Sequence, residues 1–124
     1  MAVTGDRRRA WRRGRWAELL CAGDLTLRGY RVMARRVRSP VGEIDIVARR
    51  GRTLAVIEVK ARRDMDSAAE AVSARQRDRI ARAAAWLLAG RPDLAGLTVR
   101  FDVMLVAPWR RPQHLQDAWQ TETH

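Results

Sequence analysis

The amino-acid sequence predicts an α/β domain in which helices pack on a mixed sheet, in the order helix, strand, strand, strand, helix, strand. Three observations carry this. Residues 41–48 and 54–59 are rich in Val and Ile and are separated by a short polar link containing Gly51, the pattern of a hairpin. Segments before and after them repeat apolar residues at helical spacing. A final β-rich run over residues 97–107 follows the second helical segment at the distance a crossover connection needs.

Residues 1–13 show arginines without periodicity and read as a disordered basic arm. Over residues 14–28, Trp16, Leu19, Leu20, Gly23 and Leu27 recur at helical spacing, and this face is expected to pack on the sheet. Gly29 is the expected helix-ending residue. Residues 30–37 alternate weakly and form the expected first strand, followed by the hairpin. A long helical pattern over residues 66–89 places Val72, Ile80, Ala83, Leu87 and Leu88 on one face, and Gly90, Arg91 and Pro92 stop it. The last strand comes next, and residues 108–124 read as an irregular tail whose Trp109 and Trp119 dock back on the body. The organisation is one domain over residues 14–107 between an arm and a tail.

A chain of 124 residues with 47% hydrophobic content can build one core without disulfides. Its single cysteine, Cys21, has no partner for an intramolecular bridge, which fits a reducing compartment, and it is expected to pack as a small hydrophobe. No apolar run approaches the roughly 18 residues of a membrane span, so the expectation is a cytoplasmic protein with no membrane partner. The formal charge, 25 minus 14, is +11, which favours polyanions, nucleic acid first among them. Of the 25 basic residues only Lys60 is lysine. Where composition favours arginine this strongly, the surviving lysine marks a place where a compact ammonium serves and a wide guanidinium fork does not.

The same residue closes the most informative pattern. In Gly42-Glu43-Ile44-Asp45-Ile46 a period of two puts Glu43 and Asp45 on one face and Ile44 and Ile46 on the other. In Val56-Ile57-Glu58-Val59-Lys60 it puts Glu58 and Lys60 together with Val56. Across a hairpin, Asp45 and Glu58 come within about 5 Å. Two carboxylates that close repel, and a hard cation resolves the repulsion. Mg²⁺ or Mn²⁺ on Asp45, Glu58 and a backbone carbonyl, beside Lys60, is the equipment for phosphodiester hydrolysis. The competing account is a surface salt bridge on a solvated sheet face.

These residues resemble a known superfamily. An Asp in one strand, twelve intervening residues, then Glu-Val-Lys looks like the PD-(D/E)XK restriction-endonuclease-like pattern. Gly42-Glu43-Ile44-Asp45, Ile57-Glu58-Val59-Lys60-Ala61-Arg62, Ala71-Val72-Ser73 and Arg100-Phe101-Asp102-Val103 together resemble the YraN family of small uncharacterised bacterial proteins, itself similar to archaeal Holliday-junction resolvases. The resemblance implies a nuclease fold, Asp45 and Glu58 as metal ligands, Lys60 as the catalytic lysine, and Glu18 as a further acidic ligand, although Ala17 stands where the family has glycine. Glu43 joins the site from the same strand or pairs with an arginine. Gln76 either faces the site, where relatives carry lysine, or serves the capping pattern Ser73-x-x-Gln76. Arg62, Arg63, Arg75 and Arg79, with Arg77 and Arg82 nearby, are candidate phosphate contacts. Asp102 beside Arg100 reads as a structural ion pair, and His114 and His124 receive no role. The implied function is a metal-dependent DNA nuclease acting on branched or junction DNA in repair and recombination, with a homodimer suited to a two-stranded junction. The alternatives are a non-catalytic nucleic-acid binder that keeps the fold and a protein-interaction module.

Overall fold

The computed structural model describes the backbone of residues 2–61 and 72–120 and the side chains of residues 14–61 and 72–120. Its elements are α1 (Ala2–Leu27), β1 (Arg31–Ser39), β2 (Gly42–Arg50), β3 (Thr53–Ala61), α2 (Ala74–Ala89), β4 (Thr98–Val106) and β5 (Gln113–Trp119), with a 3₁₀ turn at Pro92–Leu94 before β4. The five strands form one mixed sheet in the order β1-β2-β3-β4-β5. Only β3 and β4 are parallel, as expected of strands joined by a helical crossover.

Each face of the sheet carries a core. Ile44, Val47, Val56, Val103 and Leu105 meet Ile80, Ala83 and Ala84 of α2. On the other face Ile46, Ala48, Ala55, Ile57 and Met104 meet Cys21 and Leu25 of α1. Cys21 is fully buried, and burial, with Asp24 nearby, pushes its thiol up to about 12, so it packs as the small hydrophobe expected.

Local chemistry sets the boundaries. α1 ends in a Schellman arrangement: Gly29 N–H donates to Thr26 O at 3.1 Å and Tyr30 N–H to Leu25 O at 2.9 Å, with Gly29 in the left-handed region at φ 88. Gly51, at φ 60, turns β2 into β3, and Arg50 pairs with Thr53. α2 starts one residue after Ser73, whose hydroxyl accepts from Gln76 N–H at 3.2 Å.

The structure departs from the sequence expectations at five places. α1 extends back to Ala2, where a disordered arm was expected; alanine and arginine are good helix formers, a tendency that a search for apolar stripes does not register. The buried face of α1 is Ala17, Cys21 and Leu25, whereas Trp16, Leu19, Leu20 and Leu27 are exposed. Both stripes have helical spacing, and the small residues of the first let the helix lie close to the sheet. α2 begins at Ala74, so Val72 packs from the segment before it, and the expected helical residues 66–71 lie outside the described ones. The tail contains a strand, β5, whose Trp119 stacks on Phe101 at 5.4 Å between ring centroids. Its sequence, Gln-His-Leu-Gln-Asp-Ala-Trp, suits an edge strand with one wet side and so lacks the apolar signal used for the others.

The fifth departure shapes the site. Ile44 belongs to the α2-side core and Ile46 to the α1-side core, so strict alternation fails at Asp45. Opposite, the β1–β2 ladder pairs Val37 with Ile44 and Arg35 with Ile46 but skips Arg36, which is left-handed at φ 54. A non-glycine residue in that region breaks the pleat and frees its neighbour across the ladder from a fixed face.

Gly42 positions α2 over this break. A Cβ there would lie 3.2 Å from Arg79 O. We expect Gly42→Val to destabilise the protein by about 1–3 kcal/mol through overpacking and to displace Arg79 and Gln76. Urea unfolding of Gly42→Val beside wild type checks this, and an unchanged midpoint would show that α2 yields freely.

Candidate active site

The β2–β3 ladder is regular from Arg50↔Thr53 to Ile46↔Ile57 and then opens. At the next step, where Asp45 would face Glu58, the Asp45 carboxylate itself accepts the Val59 N–H at 2.8 Å. The side chain thereby takes the place of a backbone partner and lies between the ends of two strands rather than on one face. Glu58, on the α2 side with Val56, is 9% exposed, and Lys60 Nζ lies 3.2 Å from its Oε1. The period of two brings Glu58 and Lys60 together as expected, and the hairpin brings Asp45 to them.

Electrostatics here run against both carboxylates being charged. Burial, then the negative charge of Glu58, pushes Asp45 up to about 7, with the Val59 N–H pulling the other way. Asp45 is therefore held partly protonated near neutrality, a proton that a divalent cation would displace.

Two clefts meet at Asp45. One, of about 320 Å³, is lined by Gly42, Glu43, Asp45, Glu58, Gln76 and Arg79. At about 30 Å³ per water, six waters around a cation occupy roughly 180 Å³, so this cleft has room for a hydrated ion. Of the two roles weighed for Gln76 from sequence, the cap on α2 uses only its backbone N–H, which donates to the Ser73 hydroxyl, while the residue itself lines the acidic cleft. The other cleft, on the α1 side, brings Glu18, Arg36, Glu43 and Asp45 together. Glu18 is 7% exposed and accepts from Arg36 Nε at 2.7 Å. Arg36 is the residue whose backbone breaks the ladder, so one residue both opens the site and neutralises Glu18. Its partnership had no local signal in sequence. Glu43 is exposed at the rim of both clefts. Among the described residues no group of three His, Cys, Asp or Glu side chains is placed to hold a metal, so the geometry offers the Asp45–Glu58 pair rather than a closed carboxylate cage.

Of the candidate phosphate contacts, Arg79 lines the cleft and Arg75 is exposed on the first turn of α2, whereas Arg62 and Arg63 lie outside the described residues. Arg77 is turned inward, donating to Val72 O at 3.0 Å with its guanidinium over the Trp119 ring, and Arg82 pairs with Asp78.

A second polar cluster lies away from the cleft. Asp102 is fully buried and takes Arg100 through both carboxylate oxygens at 2.9 and 2.8 Å, the expected ion pair. His114 Nε2 adds a contact at 2.7 Å and Asp117 N–H another at 2.9 Å, both from β5. Arg28 Nη2 meets His114 Nδ1 at 2.8 Å; arginine can only donate, so Nδ1 accepts and Nε2–H donates to Asp102. Sequence left His114 without a role, because its partners stand 12 and 86 positions away.

Comparison with known proteins places this architecture. Residues 17–106 match the model of the uncharacterised protein family UPF0102. A UPF0102 protein of Parvibaculum lavamentivorans is 57% identical over 111 residues, covering 90% of this chain and 84% of that protein. Another, from Paramagnetospirillum magneticum, is 50% identical over 117 residues and covers 91% of each. Among solved structures, Hjc of Archaeoglobus fulgidus, a Holliday junction resolvase, is similar at a TM-score of 0.52 and 23% identity, over 80% of this chain and 72% of that one. At that identity the likeness establishes the fold, the restriction-endonuclease-like fold expected from the motifs.

Proposed function

The chain belongs to the UPF0102 family, and from that membership and the acidic cleft we propose that it is a metal-dependent nuclease that hydrolyses phosphodiester bonds in DNA, branched or junction DNA foremost. The observation that carries the reading is the Asp45–Glu58 pair, brought together where the β2–β3 ladder opens, with the chain's single lysine 3.2 Å from Glu58 and a formal charge of +11 around it. A structural salt bridge has no use for a second, half-buried carboxylate beside it. A nuclease does.

Asp45 and Glu58 fit Mg²⁺ or Mn²⁺ by their hard oxygen chemistry and by the room beside them, with Glu43 and Glu18 at the margins as further acidic groups. When bound, the cation supplies positive charge to the phosphoryl oxygens and lowers the pKa of water. Lys60 holds an ammonium at the same spot, where it orients water and opposes developing negative charge. Gln76 offers amide donors and an acceptor across the cleft, and Arg75 and Arg79 lead the backbone of the nucleic acid towards it. That the related Archaeoglobus protein is a resolvase favours junctions, and a homodimer would present two such clefts to two strands.

The test is cleavage of branched, single-stranded and duplex DNA with Mg²⁺ or Mn²⁺ by wild type and Lys60→Met. The expected result is metal-dependent cutting that falls at least about 10²-fold in the variant while DNA binding persists. Binding without cutting by either protein would instead support the second reading, a non-catalytic nucleic-acid binder that keeps the fold.

A further inference from the structure

Beside the α1-side cleft runs an apolar groove of about 790 Å³, lined by Trp16 and Leu20 of α1 and by Pro108, Trp109, Arg110 and Arg111 after β4. Ala17 and Ala61 line both, so groove and cleft are adjacent. Trp16 is 63% exposed and Trp109 fully exposed. Trp109 is also left-handed, at φ 62. For a bulky side chain that conformation is strained, and the turn spends the strain on presenting an indole to solvent.

We propose that this groove binds an unpaired nucleotide of the nucleic-acid substrate, with its base stacked on the tryptophans and its backbone held by Arg110 and Arg111. Flat aromatic rings interleaved with arginines are the platform on which single strands stack, and the adjacency of groove and cleft carries the neighbouring phosphate towards Asp45. The charges select this occupant over a second copy of the chain. A two-fold contact would bring the Arg110–Arg111 pairs of two +11 molecules together, and the acidic residue paired there, Asp24, is already shared between Arg28 and Arg111. A polyanion meets no such repulsion. The connection to cleavage rests on the nuclease reading above; the binding does not.

The test is fluorescence anisotropy of a labelled deoxythymidine oligomer and an abasic oligomer of equal length, in EDTA at fixed salt. Wild type is expected to prefer the thymidine oligomer. Trp109→Ala should weaken that binding about 5- to 100-fold, the cost of one lost stack, leave the abasic oligomer unaffected, and be largely rescued by Trp109→Phe. Trp16→Ala should act in the same direction. Equal binding of the thymidine oligomer by all variants, or no preference over the abasic strand, overturns the proposal. So does light scattering that finds a wild-type dimer split by Trp109→Ala, since the groove would then be an interface between copies. Because this assay scores no cleavage, absence of a base preference in wild type sinks this proposal alone, and a base preference in a protein that fails the separate cleavage assay sinks the nuclease reading alone.

Discussion

Asp102→Ala is expected to cost about 3–5 kcal/mol, the range for removing one partner of a buried ion pair, and thus a large share of the roughly 5–15 kcal/mol that holds a domain of this size together. Four hydrogen bonds converge on a carboxylate with no solvent exposure: two from Arg100, one from His114 and one from the Asp117 backbone. They tie β5 to β4 where the ladder between them slips, between Phe101 and Val103, and where Asp117 is left-handed at φ 54. Alanine would leave a guanidinium, an imidazole N–H and a backbone N–H without their acceptor. The loss should be cooperative, with urea unfolding shifted to a far lower midpoint. Exchanging both partners for apolar residues, Arg100→Met with Asp102→Leu, should cost less than Asp102→Ala alone, since no orphaned charge remains. A midpoint for Asp102→Ala near that of wild type would show that β5 is not latched here.

The pH dependence of this cluster follows. Burial alone would raise the Asp102 carboxyl, but the hydrogen bonds from His114, Arg100 and Asp117 overcome it and hold it below its ordinary range. A depressed carboxyl stabilises the fold above its unfolded value of about 3.9, and that contribution is lost as pH falls through its lower folded value. Wild type should therefore lose this stability only in acid below about pH 4, and Asp102→Asn should lack that component.

Asp45→Asn is expected to move stability and activity in opposite directions. The raised carboxyl means that, between about pH 4 and about pH 7, the folded state holds a proton the unfolded chain has released. Stability from this group thus falls as pH rises through that window and is lowest above it. Asparagine keeps an oxygen for the Val59 N–H and offers Glu58 a donor, relieving a repulsion on the order of 1–3 kcal/mol at close range in a partly screened site. At pH 8 without divalent ions the variant should melt higher than wild type, and at pH 5 the difference should shrink. Mn²⁺ should raise the melting temperature of wild type at pH 8 far more than at pH 5, because it competes with the proton, and should do little for the variant. Cleavage by the variant should fall at least about 10²-fold. An Mn²⁺ response in Asp45→Asn equal to that of wild type would remove Asp45 from the cation site.

What could be read without the fold was whatever depends on neighbours in sequence. Glu58 and Lys60 share a side because β-strand side chains alternate, a property of the backbone itself. Gly29 and Gly51 end their elements because their local conformations demand glycine, and the first helix, the hairpin and the crossover strand follow from apolar periodicity. The same reasoning found Asp45 and Glu58, since a hairpin link of a few residues leaves little choice of register.

Elsewhere two answers satisfied the pattern, or the signal was absent, and contact with the rest of the molecule decided. On α1 two stripes share helical spacing, and the sheet accepts Ala17, Cys21 and Leu25 while leaving Trp16 and Leu20 to line a groove. Ser73-x-x-Gln76 fits a cap and a site residue equally, and only the placement of α2 against β2 puts Gln76 on the lining of the cleft while its backbone N–H completes the cap. β5 and His114 are held by partners on β4 and in the turn after α1 that no window of sequence contains together. The sequence by itself determined which residues carry charge, where chain direction changes, and which side chains alternate, because these are short-range consequences of covalent geometry. The tertiary structure alone decided the face of Asp45, the pairing of Glu18 with Arg36, and the latch on Asp102, because each depends on a break in a ladder or a buried contact whose free energy exists only when distant segments exclude water from one another.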